Sequence, residues 1–169
     1  MPREDRERFS RYAALDLPPD PVEGDLREIL EAYARGNPSD TPAGLLATTG
    51  AQAGFTGDAD FARRAGRAAL ELAGTGDERA LAHVSLAQTH FQGRRDEEEL
   101  ALFEQHCRSA VEEGHSGTFC YERLATLYEY RGWVDEAEYI CRRAIEVLEH
   151  ADPRSVERFQ KRLARLSRG

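Results

Sequence analysis

The amino-acid sequence predicts an all-α protein, and three observations carry this prediction. Apolar and small residues recur three or four positions apart through most of the chain, as one buried helix face requires. Glycine and proline steps interrupt this pattern, for example at Arg131–Gly132, where one apolar face ends before another begins. Two helices joined by so short a turn must lie antiparallel. Residues 121–145 therefore predict a helical hairpin.

Size, composition and charge narrow the class of protein. The 169 residues fit one compact domain or a short solenoid, and 40% of them are hydrophobic, which is enough for a core. A net charge of −8 and a pI near 5.2 disfavour a protein that grips nucleic-acid backbones. No signal peptide or membrane span is visible, and three cysteines without C-x-x-C spacing fit a reducing compartment. We expect a cytoplasmic protein that binds neither nucleic acid nor membrane.

The first part of the chain predicts two helices. Residues 4–15 form the first, and a proline-rich segment ends it. Asp20 and Pro21 are typical of a second helix start, as N-cap and first helical residue, and that helix ends near residue 36. We expect residues 1–38 to form an N-terminal helical cap.

Turn and capping signals divide residues 41–150 into three helical hairpins. After them, residues 152–168 predict a last helix, whose narrow apolar stripe and basic face suit a C-terminal cap. The predicted boundaries are Thr41–Pro42 as a helix start, Thr56–Asp58 as a turn, Gly74 as a C-cap, Asp77 as an N-cap, Asp96 with Glu99 as a capping box, Gly114 as a helix end and Asp152–Pro153 as the last helix start.

The third hairpin resembles a tetratricopeptide repeat. The signature of that family is aromatic-x2-Leu-small-x2-Tyr, a glycine turn and Ala-x3-aromatic. Residues 118–150 match it best, at Tyr121, Leu124, Ala125, Tyr128, Gly132 and Ala137, with Cys141 in place of the second aromatic residue and Ala144 at the later small position. The resemblance implies a single domain, a short right-handed α-solenoid of about three such hairpins over residues 41–150, with a capping helix or helices at each end.

The second hairpin repeats the pattern with four extra residues between its helices. His83 and His90 align with Tyr121 and Tyr128, where the family packs flat rings, and Phe103 stands where the family has alanine. The first hairpin keeps the spacing but lacks the aromatic residues.

The resemblance also implies a concave groove, lined by the first helix of each hairpin, that binds part of another protein. None of the predicted groove positions is Lys or Asn, with which some family members clamp a C-terminal carboxylate. We expect a non-catalytic adaptor or scaffold that binds an amphipathic helix or extended peptide with apolar anchors. The alternatives are that the terminal helix covers the groove, or that a second copy does, as in a homodimer. The predicted partner-binding residues are Arg123, Tyr130, Phe119, Thr126, Glu122, Phe91, Gln88 and Val84.

Metal binding and carboxylate catalysis are the two chemical alternatives to this interpretation. His83, His90, His106 and Cys107 could hold zinc or iron, but histidines seven apart on a helix lie about 10 Å apart along its axis, so ring packing is favoured. The run Glu97–Glu99 is typical of a solvated first turn rather than of catalytic carboxylates. No nucleophile, phosphate-binding or dinucleotide motif is present in the sequence. We therefore expect no catalytic residues, no metal and no cofactor.

Overall fold

A computed structural model of the chain describes residues 3–13, residue 30 and residues 41–168. This part of the chain contains eight α-helices and no β-strand, so the predicted all-α class is confirmed. None of these helices is long and apolar enough to cross a bilayer. The helices are α1 (Arg3–Ala13), α2 (Pro42–Phe55), α3 (Ala59–Leu72), α4 (Gly76–Gln92), α5 (Glu97–Glu112), α6 (Phe119–Arg131), α7 (Val134–Leu148) and α8 (Pro153–Leu166).

Several helix boundaries lie where the sequence signals place them. The side chain of Thr41 accepts a hydrogen bond from the Gly44 N–H at the start of α2, and Asp152 accepts one from the Ser155 N–H at the start of α8. After α6, Gly132 has a φ of 72°, in the left-handed region that glycine enters without a steric penalty. Each of these signals acts within a few residues of the helix end that it marks.

The caps predicted between α3 and α4 are wrong. Ala73, not Gly74, is the C-cap of α3, and Thr75, not Asp77, is the N-cap of α4. Thr75 forms a capping box with Glu78, whose carboxylate accepts hydrogen bonds from the N–H groups of Gly74 and Thr75 at 2.6 and 3.2 Å. This reciprocal pair starts the helix earlier than Asp77 alone would.

The capping box predicted at the start of α5 is half formed. Asp96 accepts hydrogen bonds from the N–H groups of Glu98 and Glu99, at 3.0 and 3.1 Å. The Glu99 side chain does not return to Asp96. It accepts hydrogen bonds from His90 and Arg63 instead, at 2.8 Å each, because an imidazole and a guanidinium are stronger donors than a backbone amide.

Each helix from α2 to α8 packs on the helix that precedes or follows it in the chain. The pairs α2/α3, α4/α5 and α6/α7 are joined by short turns and are therefore antiparallel hairpins. Contacts also join α2 to α4, α4 to α6 and α5 to α7, so that equivalent helices of successive hairpins are neighbours. Helix α8 packs on α7, and α1 packs on α2.

The buried apolar residues form two clusters. The N-terminal core is dominated by alanine, whereas the C-terminal core is rich in aromatic and long aliphatic side chains. The N-terminal core consists of Phe9, Leu30, Leu46, Ala47, Ala53, Phe61, Ala62, Ala65, Ala69 and Ala82. The C-terminal core includes Phe103, Cys107, Tyr121, Leu124, Tyr128, Ile140, Cys141, Leu148 and Phe159.

The N-terminal end is described only in part. Helix α1 buries Phe9 and is held against α3 by Asp5, which accepts two hydrogen bonds from the Arg64 guanidinium at 2.7 and 2.9 Å. The helix predicted from Asp20 lies outside the described residues, except for Leu30, which is helical and fully buried in the N-terminal core.

Candidate interaction surface

Three phenylalanines from two hairpins meet between α4, α5 and α6. The rings of Phe91 and Phe103 have centroids 5.1 Å apart, and the Phe119 ring lies edge-on to both, at 5.9 and 6.4 Å. Phe103 is fully buried, while Phe91 and Phe119 are half-buried. The position that breaks the repeat pattern therefore anchors this aromatic cluster.

Two arginines cover the outer side of the cluster. The guanidinium carbon of Arg123 lies 4.7 Å from the centroid of Phe91 and 5.9 Å from that of Phe119, and Arg94 lies 4.2 Å from the centroid of Phe91. Arg123 is exposed, and among the described residues no carboxylate pairs with it. We call Phe91, Phe119 and Arg123 the ring platform.

The predicted residues of α6 lie along one stripe of that helix, spaced three or four residues apart. Tyr130, at the far end of the stripe, is 89% exposed. Thr126 is also exposed, and its hydroxyl donates a hydrogen bond to the Glu122 carbonyl. Regular helical spacing places the whole set on one side of α6, as the sequence indicated.

The terminal helix lies against part of this stripe. Arg158 is 2.9 Å from Glu122, Arg162 donates to the Thr126 hydroxyl at 2.8 Å, and Arg162 also pairs closely with Glu129. Arg165 adds a second bond to Glu129, at 2.8 Å. The alternative in which the chain's own last helix covers the groove thus applies to one edge of α6.

The basic face of α8 is predicted to belong to a C-terminal cap, and the sequence also holds a signal for these contacts. Arg162 and Thr126 are 36 residues apart, and so are Arg165 and Glu129. Glu122 and Arg158 are separated by the same number of residues, so α8 runs alongside α6 in the same chain direction.

A cleft of about 310 Å³ remains open between α6 and α8. The buried ring of Phe159 lies at its base, and three arginines stand around it with a single carboxylate. We call it the α6/α8 cleft, and its lining residues are Glu122, Arg123, Thr126, Arg158, Phe159 and Arg162.

The predicted residues of α4 contribute less surface than those of α6. Val84 is 8% exposed and packs in the C-terminal core, because its turn of α4 faces the neighbouring hairpin. Gln88 is half-buried, and Phe91 reaches the surface only beneath the two arginines. On the α4 side, the predicted groove therefore offers little accessible surface apart from the ring platform.

The three histidines of the second hairpin lie together between α4 and α5. The Nδ1 atoms of His83 and His106 are 3.0 Å apart, so one of them donates a hydrogen bond to the other. The His106 ring also stacks on His90, at 5.6 Å between centroids and 10° between planes. His106 therefore lies between His83 and His90 and contacts both rings.

This histidine cluster shows strong electrostatic effects of burial. Burial lowers the pKa of His106 to about 4, with further lowering by the charges of His83, His90 and Arg67. Burial also lowers the pKa of His83. In the described part of the chain no group of three or more His, Cys, Asp or Glu side chains is arranged to hold a metal ion.

The cysteines lie inside the C-terminal core. Cys107, Cys120 and Cys141 are buried and free. Burial raises the pKa of the Cys141 thiol to about 11, and burial with the adjacent Cys120 raises that of Cys107. Such thiols are poor nucleophiles at neutral pH, as expected of small packing residues.

Comparison with family models, with curated proteins and with solved structures finds no match for this chain. The interaction surface is therefore interpreted from its own residues.

Proposed function

We propose that this protein is a non-catalytic interaction module, built as a short tetratricopeptide-like solenoid, that binds a segment of another protein along α6 and the ring platform. The observation that carries the proposal is the arrangement of Arg123. Its side chain is exposed, its guanidinium lies close to the Phe91 and Phe119 rings, and it has no carboxylate partner among the described residues. Aromatic and arginine side chains contribute most of the binding energy in many interfaces.

Tyr130 extends the same stripe by two helical turns. A tyrosine exposed to 89% at the end of a stripe that holds Arg123 offers an amphipathic anchor with little conformational entropy to lose. A partner segment with apolar side chains at helical or extended spacing would contact both ends of the stripe. We propose a cytoplasmic setting, in keeping with free buried cysteines.

The test is an affinity pull-down from native lysate with the wild type and the double variant Arg123→Glu/Tyr130→Ala. We expect a protein retained by the wild type and lost by the variant, with unchanged helical content by circular dichroism. The matched control is Arg142→Glu/Tyr139→Ala on α7, which changes the same residue types at exposed positions away from the stripe. Equal loss in both variants, or retention by the Arg123/Tyr130 variant, would count against the stripe as the binding surface.

A second candidate is self-association. Exposed Tyr130, Trp133 and Val134 lie together around the turn that joins α6 to α7, and such an apolar group is a common dimer contact. Light scattering over a range of protein concentrations separates the two candidates, because only self-association raises the mass of the purified protein.

A further inference from the structure

We propose that the α6/α8 cleft receives an acidic side chain, so that the partner segment carries an aspartate or glutamate next to its apolar anchors. This inference rests on the proposed function, because it names the chemistry of the segment that the stripe would bind. It starts from the charges around the cleft and from the arginine among them that has no carboxylate partner in the described part of the chain.

The positive charge of the cleft exceeds its negative charge. Glu122 is its single lining carboxylate, and Glu122 is paired with Arg158 at 2.9 Å. Arg162 is paired with Glu129, just outside the cleft. Among the described residues this leaves the guanidinium of Arg123 without an anion.

The position of Arg123 is restrained before any ligand arrives. Its guanidinium carbon lies 4.7 Å from the centroid of Phe91 and 5.9 Å from that of Phe119, so part of its rotamer entropy is already lost in the free protein. Among the described residues no hydrogen-bond acceptor occupies its N–H groups, which are therefore free to donate. A carboxylate accepts from such an edge through two parallel hydrogen bonds.

The cleft has the size and surroundings for a carboxylate and the start of its side chain. Its volume of about 310 Å³ is too small for a folded element but sufficient for one side chain with bound water. The Phe159 ring at its base is 2% exposed and excludes water from that side.

The distribution of charge over the protein also affects where an acidic segment binds. The protein carries a net charge of −8, so an acidic segment is repelled by most of its surface. Among the described helices α8 has the largest excess of basic residues, with five, Arg154 to Arg165, against one acidic residue, Glu157. An acidic partner is therefore attracted mainly to the side of the molecule that holds the cleft.

The experiment uses the full-length protein and a displayed library of random peptides as the probe. Peptides enriched on the wild type are synthesised in two forms, with each acidic residue kept or replaced by glutamine, and their affinities are measured by fluorescence anisotropy. We expect the acidic form to bind about tenfold more tightly at physiological salt, and this ratio to shrink in high salt. In Arg123→Gln the ratio should fall to near one, while Arg142→Gln, an exposed arginine of α7, should keep it.

The outcomes separate this inference from the proposed function. If peptides are enriched but bind equally in both forms, the stripe binds a partner and the acidic subsite is wrong. If the ratio survives in a folded Arg123→Gln variant, acid recognition takes place elsewhere, and the cleft is likewise wrong. If no peptide is enriched by the folded wild type, both proposals fail. A dimer that is lost in Arg123→Gln would assign the cleft to a second copy of the chain and overturn the acidic-segment proposal.

Discussion

The first and third hairpins have similar lengths and turns but are packed by different means. Between α2, α3 and α4 the buried side chains are mostly alanine and glycine, and the helices approach closely. A Cβ added at Gly66 would lie 2.7 Å from Cγ of the buried Leu86. Between α4, α5, α6, α7 and α8 the space is filled by rings instead, and the Tyr121 and Phe159 rings meet edge to face at 6.3 Å.

This difference in packing explains where the candidate interaction surface lies. Helices that pack through small residues bury them completely and leave few large side chains at the edges of their contacts. Ring packing leaves the outer rings of a cluster half-exposed, as Phe91 and Phe119 are, and provides a surface on which arginines stack. The candidate surface is thus an outcome of how the second and third hairpins fill their core.

The largest loss of stability should follow from removing an aromatic ring from the C-terminal core. We expect Phe103→Ala to lower the free energy of unfolding by about 3–5 kcal/mol, since Phe103 is fully buried against Phe91 and Phe119. Urea denaturation measures this change. Phe55→Ala at a position that is 71% exposed is the control and should cost less than about 1 kcal/mol. A Phe103→Ala cost as small as the control's would mean that the rings do not hold this core together.

Phe103 also shows how far the sequence could predict this fold. Apolar spacing and caps such as Thr41 and Gly132 located the helices because these signals are local. Whether the aromatic residue at a position expected to be alanine would disrupt the second hairpin or anchor it depended on Phe91 and Phe119, in other turns of the fold. Contacts between distant segments are what periodicity cannot specify.

The candidate surface was predictable to a similar extent. The resemblance to a tetratricopeptide repeat implied the α6 positions, and helical spacing places Arg123 and Tyr130 on one side of that helix. Coverage of the groove by α8 was one of the alternatives that the sequence left open, because a basic helix face has the same pattern whether it is solvated or pairs with Glu122 and Glu129. Burial of Val84 was missed for the related reason that groove and core positions alternate on one helix.

A second prediction places valine at one buried helix position of the first hairpin and one of the third. Gly66→Val adds three carbons and should destabilise the protein by about 1–3 kcal/mol, because Leu86 must move to admit the new side chain. Cys141→Val replaces one sulfur by two methyl groups at a buried position of α7, a smaller increase in volume, and should cost less than Gly66→Val.

A double-mutant cycle identifies the cause of the Gly66 effect. In a Leu86→Ala background the clash is absent, so Gly66→Val should cost less there than in the wild type, with a coupling of about 1 kcal/mol or more. Additive costs would show that the close approach of α3 and α4 is not limited by Leu86.

The third prediction concerns the histidine cluster at the boundary between the two kinds of packing. Burial holds the pKa of His106 near 4, below the 6.5 of the unfolded chain, and lowers that of His83 in the same direction. Between those values the unfolded chain binds more protons than the folded one, so stability is fully present above pH 6.5 and is lost as the pH falls toward 4.

Allowing for the partial exposure of the ring, we expect His106 to contribute about 1–2 kcal/mol to the change in the free energy of unfolding over this pH range. His106→Gln should remove this contribution. Chemical denaturation at a series of pH values measures it, and His150→Gln, at an exposed position, is the control. Other groups around the cluster, including Glu99, Arg63, Arg79 and Glu113, stay in place in both variants. An unchanged slope in His106→Gln would show that the acid sensitivity arises from those groups.

The smallest loss of stability should follow from weakening the polar contacts between α8 and α6. Glu129 accepts from both Arg162 and Arg165, and its side chain is only 24% exposed, so Glu129→Gln weakens two charge-assisted bonds in a partly buried place. We expect a loss of about 1 kcal/mol that diminishes in high salt, because screening weakens the ion pairs in the wild type as well. The control is Glu146→Gln. The Glu146 side chain is 71% exposed and pairs with Arg143, so its replacement should change stability by less than about 0.5 kcal/mol.

Since Val156 and Phe159 of α8 are buried in the C-terminal core, apolar contacts should hold the helix in place even in Glu129→Gln. Hydrogen exchange of the α8 amides tests this directly: a modest increase confined to α8 would show that the arginines align a helix that its apolar side chains retain, whereas full loss of protection would show that the charges alone hold it.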